Sequence, residues 1–113
     1  MVNIIVSNFI GGNAISMASG NKINKIIIDN WNCSGKITID FIGVEVFASP
    51  FFNACIGVLL KEKKINELQE KLTFNNISPH GRKLLNLVIS NAIKFYENSS
   101  ATNSGLDDIK GEL

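Results

Sequence analysis

Lys36–Phe41 (KITIDF) and Lys71–Asn75 (KLTFN) are two short strand-like runs. Between them, Ser49-Pro50 opens a segment whose apolar residues recur at helical spacing. In the first run Ile37, Ile39 and Phe41 alternate with Thr38 and Asp40, the two-residue period of a strand with one buried face. In the intervening segment Phe51, Phe52, Cys55, Ile56 and Leu59 form one helical stripe. Serine followed by proline is a helix-start signature. The serine oxygen accepts from the first free N–H groups, and the fixed φ of proline suits the first turn. A helix-length crossover returns the chain to the same end of a sheet, so the two strands it joins are predicted to be parallel neighbours.

The remaining segments extend this alternation. Residues 2–10, VNIIVSNFI, read as a strand, and Gly11-Gly12-Asn13 as a tight turn that glycine's positive φ permits. AISM, 14–17, is then predicted to return as the second strand of a hairpin. Ser19 reads as the cap of a helix that carries Ile23, Ile26, Ile27 and Trp31 on one face. Lys61–Lys64 close the helix begun at Pro50, and residues 65–70 form a short helical turn with Leu68 inward. Ser78-Pro79 repeats the start signature and opens the longest helix, to about Asn98, with Leu84, Leu85, Val88, Ala92, Phe95 and Tyr96 on its apolar face. The expected class is α/β, with a mixed four-to-five-stranded sheet, parallel central strands and helices packed mainly on one face. Residues 1–98 form this domain. Residues 99–113 are expected to be a flexible acidic tail, because SSATNSG has linker composition.

Composition narrows function by exclusion. The chain has 113 residues, of which 45% are apolar, enough for one self-sufficient core. Its net charge is +1, so duplex nucleic acid is not indicated as a partner. No secretory signal starts the chain, so Cys33 and Cys55 are expected to be free thiols. Only His80 is available to join them around a metal, short of the roughly four N/S ligands zinc takes, so neither metal nor cofactor is expected. The longest apolar run, ACIGVLL at 54–60, is far below the ~20 residues that span a bilayer, which predicts a soluble cytoplasmic protein. No phosphate-binding glycine pattern or serine-nucleophile elbow occurs. Asp40 and Glu45 are the carboxylates nearest a strand end, and Asp40 reads as a partner for loop backbone groups. The chain is therefore expected not to be an enzyme.

IDFIGV (39–44) followed by SPFFNACIGVL (49–59), with Gly57 in the helix, resembles the STAS-like family of unknown function. That family is related to the STAS domains of sulfate transporters and anti-sigma-factor antagonists. Gly20, KLTFNN (71–76) and the helix after Pro79 fit the same pattern, and the resemblance spans roughly residues 2–97. It implies a STAS-like β/α domain that binds proteins: a regulatory module of a bacterial circuit, with a histidine-kinase-type ATPase as a candidate partner. The contact surface it implies is the loop and helix start at 44–53, with Val46, Phe47, Ser49, Pro50, Phe51, Phe52 and Asn53. The family's second serine is Pro50 here, which leaves Ser49 as the local phosphate acceptor. Phosphorylation there would put ~1.5–2 negative charges into the contact surface.

Phe51 and Phe52 are adjacent, so two readings stand equally: one enters the core while the other stays at the helix rim as a contact residue, or both are largely buried. The alternative reading is a small-molecule or nucleotide-binding regulatory domain that uses the helix starts at Ser19, Ser49 and Ser78 as anion sites. Monomer or weak homodimer are both open, with the long last helix as the dimer face.

Overall fold

In a computed structural model, which describes residues 2–104 and the side chains of residues 2–96, five short strands are interspersed with helices. The order is β1 (Val2–Ile5), α1 (Ser7–Ile10), β2 (Asn13–Ala14), α2 (Met17–Asp29), β3 (Ile37–Asp40), β4 (Val46–Phe47), α3 (Ser49–Cys55), a 3₁₀ segment (Gly57–Lys61), α4 (Ile65–Lys71), β5 (Leu72–Asn75) and α5 (Pro79–Ser104). The strands form two ladders, not the single mixed sheet expected. One is three-stranded in the order β1-β3-β5; the other pairs β2 with β4. Every pair is parallel.

The expected pairing of the two KxT runs is present: β3 and β5 are parallel neighbours, Ile37 opposite Leu72 and Ile39 opposite Phe74. β1 lies on the other side of β3, Ile4 opposite Ile39. Ile4, Ile37, Ile39 and Leu72 enter the core, with Val2 and Phe74 packed against it. The alternate residues Asn3, Ile5, Thr38, Asp40, Thr73 and Asn75 remain partly or fully exposed on the opposite face. The period of two thus separates a core face from an open one.

The predicted hairpin does not form. β1 stops because β3 stops: the Val6 N–H donates to the Asp40 carbonyl at 2.9 Å, and no further ladder follows. Phe9 and Ile10 N–H groups turn back to the Val6 carbonyl, which makes the short helix α1. Gly11, at φ 78°, then redirects the chain where an L side chain would be strained. The Gly12 carbonyl accepts from Glu45 and Val46 N–H at 2.9 and 3.3 Å, so the segment joins β4 in parallel instead of folding back on β1.

Two helix starts also differ from expectation. The α2 cap is Ser16, whose side chain accepts from the Ser19 N–H at 3.1 Å; Ser19 lies inside the helix. In α3 the capping position is Ala48, in extended backbone at φ −144°, with Ser49 already helical and Pro50 following in the first turn. Ser78 caps α5 as expected, accepting from the Gly81 N–H at 3.0 Å. α5 continues to Ser104, past the predicted end near Asn98; the rest of the expected tail, 105–113, lies outside the described residues.

α2 crosses α3 at Gly20, where a Cβ would fall 2.4 Å from the Phe51 carbonyl oxygen and 2.8 Å from the Ala54 Cβ. Asn24 Nδ2 donates to the Cys55 carbonyl at 3.0 Å, which satisfies a carbonyl left free at the end of α3. Among the described residues no helix is long and apolar enough to cross a membrane.

Candidate docking surface

The loops that follow β1 and β3 are bound to each other. Gly12 and Gly43 approach so closely that a Cβ on Gly12 would lie 3.2 Å from the Gly43 carbonyl oxygen. Gly43, at φ 84°, packs beside the Ser7 side chain. Lys22 Nζ reaches from α2 to the Phe9 carbonyl at 3.4 Å. These bonds hold α1, β2, residues 41–47 and the α3 start as one unit.

That unit stands on an aromatic cluster. Phe41, the first residue after β3, lies 5.6 Å from Phe47, 6.5 Å from Phe51, 6.0 Å from Phe52 and 6.5 Å from Phe74, centroid to centroid. Phe47 stacks on Phe52 at 5.8 Å, with 4° between the ring planes. Phe51 meets Phe52 edge-on at 5.3 Å. Offset and edge-to-face pairs at these spacings stabilise beyond their buried area.

This geometry corrects part of the expected contact surface. Phe51 and Phe52 are both fully buried, and Phe47 is buried with them. Neighbours on a helix point about 100° apart, so a helix covered from two sides buries both. α3 is such a helix, with Phe51, Phe52, Ala54 and Cys55 all in the core. What the 44–53 segment presents outward is Glu45, Val46, Pro50 and Asn53, while Ser49 is half-buried. Sequence reasoning did not single out Phe9, Ile15 or Ile42. Phe9 (45% exposed), Ile42 (56%) and Val46 (46%) lie on the joined loops, with Ile15 (42%) just after β2. Their signal was legible as apolar residues beside Gly11-Gly12 and Gly43, where loops are ordinarily polar.

Asp40 does what a loop-supporting carboxylate does. Its Oδ1 accepts from the Ile42 N–H at 3.0 Å and from Asn76 Nδ2 at 2.9 Å, which ties the β3 exit to the β5 exit. Asn76 sits at φ 57°, a left-handed conformation asparagine tolerates. Asp40→Ala should therefore cost about 1 kcal/mol. In a urea melt its midpoint should fall while the slope stays unchanged. An unaltered midpoint would show that the two hydrogen bonds contribute nothing net.

Glu45 is exposed, and so is His80 in the first turn of α5. Among the described residues no three His, Cys, Asp or Glu side chains group as a metal site. Burial pushes the Cys55 thiol up, so it is a neutral core group, and Cys33 is a half-buried free thiol.

The parallel three-stranded sheet, with its core on one face and helices in the connections between its strands, makes this an α/β domain consistent with the STAS-like class. The sequence profile of the STAS-like domain of unknown function (DUF4325) matches residues 19–82, and the chain belongs to that family. No curated protein and no solved structure matches it.

Proposed function

We propose that this chain is a non-catalytic protein-interaction module of a bacterial regulatory system, acting in the cytoplasm. It docks its partner through the loops and helix start around residues 44–53. The observation that carries this reading is that Phe9, Ile15, Ile42 and Val46, all on or next to the joined loops, are exposed apolar side chains. Isolated exposed apolar residues are ordinary. Several on segments fixed to one another make a pre-ordered apolar surface, and such surfaces bind proteins. The aromatic cluster beneath keeps it rigid, so little ordering entropy opposes docking. By its resemblance to anti-sigma-factor antagonists, a histidine-kinase-type ATPase is the first partner to test. Ser49 borders this surface, and a phosphate there would oppose docking by charge and desolvation.

The test is co-purification with such an ATPase from the source cell, followed by titration. Ile42→Asp and Val46→Asp are each expected to weaken binding at least tenfold, about 1.4 kcal/mol, with an unchanged circular dichroism spectrum. Ser49→Asp is expected to weaken it as well. Full-strength binding by the folded Ile42 and Val46 variants would remove this surface from consideration.

A further inference from the structure

The two edges of the three-stranded sheet are not alike. At β5 the outward-facing peptide groups are those of Leu72 and Phe74, because the Asn75 carbonyl faces β3 and accepts from the Phe41 N–H at 2.9 Å. Each outward residue has one of its two backbone groups engaged. The Leu72 N–H donates to the Leu68 carbonyl at the end of α4. The Phe74 carbonyl accepts from the Arg82 guanidinium at 3.4 Å, which also places a charge on that edge. With two of its four outward groups engaged and a charge beside them, this edge is a poor template for another strand.

At β1 the alternation runs the other way. Val2 and Val6 N–H groups donate to the Lys36 and Asp40 carbonyls of the β3 segment, so the peptide groups of Asn3 and Ile5 face outward. Neither has a hydrogen-bond partner among the described residues. The run Val2–Val6 contains no charge, no proline and no glycine, so it lacks the usual devices that blunt an edge.

We infer that β1 pairs antiparallel with β1 of a second copy of this chain, so that two three-stranded sheets join across a two-fold axis at Ile4. Asn3 of each copy then exchanges both backbone hydrogen bonds with Ile5 of the other, and Ile4 faces Ile4. No like charges are brought opposite each other, so the strand is complementary to itself. The asymmetry of the edges selects this occupant. One open and one obstructed edge per copy closes the assembly at two, whereas two open edges would propagate a fibre. The pairing is short, so the dimer is weak and forms with rising concentration. It is independent of the docking loops.

Sedimentation velocity over a concentration series, on the full chain without an N-terminal tag, tests this. The expected result is a shift from monomer toward twice the monomer mass. Asn3→Pro removes only an N–H that the fold does not use, and edge strands accept proline at such positions. Asn3→Pro and Ile5→Lys should each abolish the shift with the spectrum of the fold intact. Should either variant fail to fold, amide hydrogen exchange on the unaltered chain decides. Asn3 and Ile5 amides must become more protected as concentration rises. A monomer at every concentration, a dimer indifferent to both folded variants, or exchange at Asn3 and Ile5 that ignores concentration would overturn the inference.

Discussion

Phe41→Ala is expected to destabilise the fold by about 3–5 kcal/mol, the range for truncating a buried phenylalanine to alanine. Phe41 is buried where β3 ends, and its ring touches Phe47, Phe51, Phe52 and Phe74. Those four come from β4, α3 and β5, so no single element closes over the hole. Domains of this size are held by about 5–15 kcal/mol, and a loss of this order removes a large part of it. Urea denaturation should show the midpoint falling with an unchanged slope. Phe41→Leu keeps most of the volume and should cost under ~1.5 kcal/mol. Equal, small effects from both variants would mean that the rings do not pack around Phe41.

Gly20→Ala is expected to be damaging for the opposite reason, a lack of space. Alanine favours helix over glycine by about 1 kcal/mol, so an unobstructed site would gain stability. Here the added methyl meets the Phe51 carbonyl oxygen at 2.4 Å, and backbone cannot rotate away as a side chain can. α2 and α3 must separate, which disturbs Ile23 and Ile27 on one helix and Phe51 and Cys55 on the other, all fully buried. We expect a net loss of about 3 kcal/mol, the upper end of overpacking costs. Asn21→Ala, one residue along and exposed, is the control and should be neutral or slightly stabilising. A Gly20→Ala variant as stable as the parent would show that the helices do not cross there.

How far these features could be read beforehand depended on the length of the signal. The alternation of Ile37, Ile39 and Phe41 was long enough to assign β3, and the intervening helical segment dictated the parallel pairing with β5. β2 and β4 are two residues each, too short for any periodicity, and they pair through the Gly12 carbonyl rather than through a pattern of side chains. The strand-like composition of residues 2–10 concealed α1, because what ends β1 is the end of its neighbour. Ser49 carried the right residue type for a cap, yet the backbone turns extended one residue earlier, at Ala48. The burial of both Phe51 and Phe52 depends on how many neighbours surround α3, which no local spacing encodes. Within the candidate surface Val46, Pro50 and Asn53 face outward, whereas Phe9, Ile15 and Ile42 became recognisable only once the two loops were seen to be joined.

Because every ladder is parallel, no strand can find its neighbour through a tight local turn. Val2 must meet Ile37, and Ile37 must meet Leu72, each across an intervening helical excursion. Refolding dominated by such distant encounters falls toward milliseconds to seconds. During synthesis at ~5–20 residues per second, the middle strand waits on the order of seconds for its second neighbour to be translated. A nascent chain halted before Leu72 therefore displays an isoleucine-rich ribbon with one side unoccupied, and that intermediate is where chaperones would be called upon or aggregation would begin.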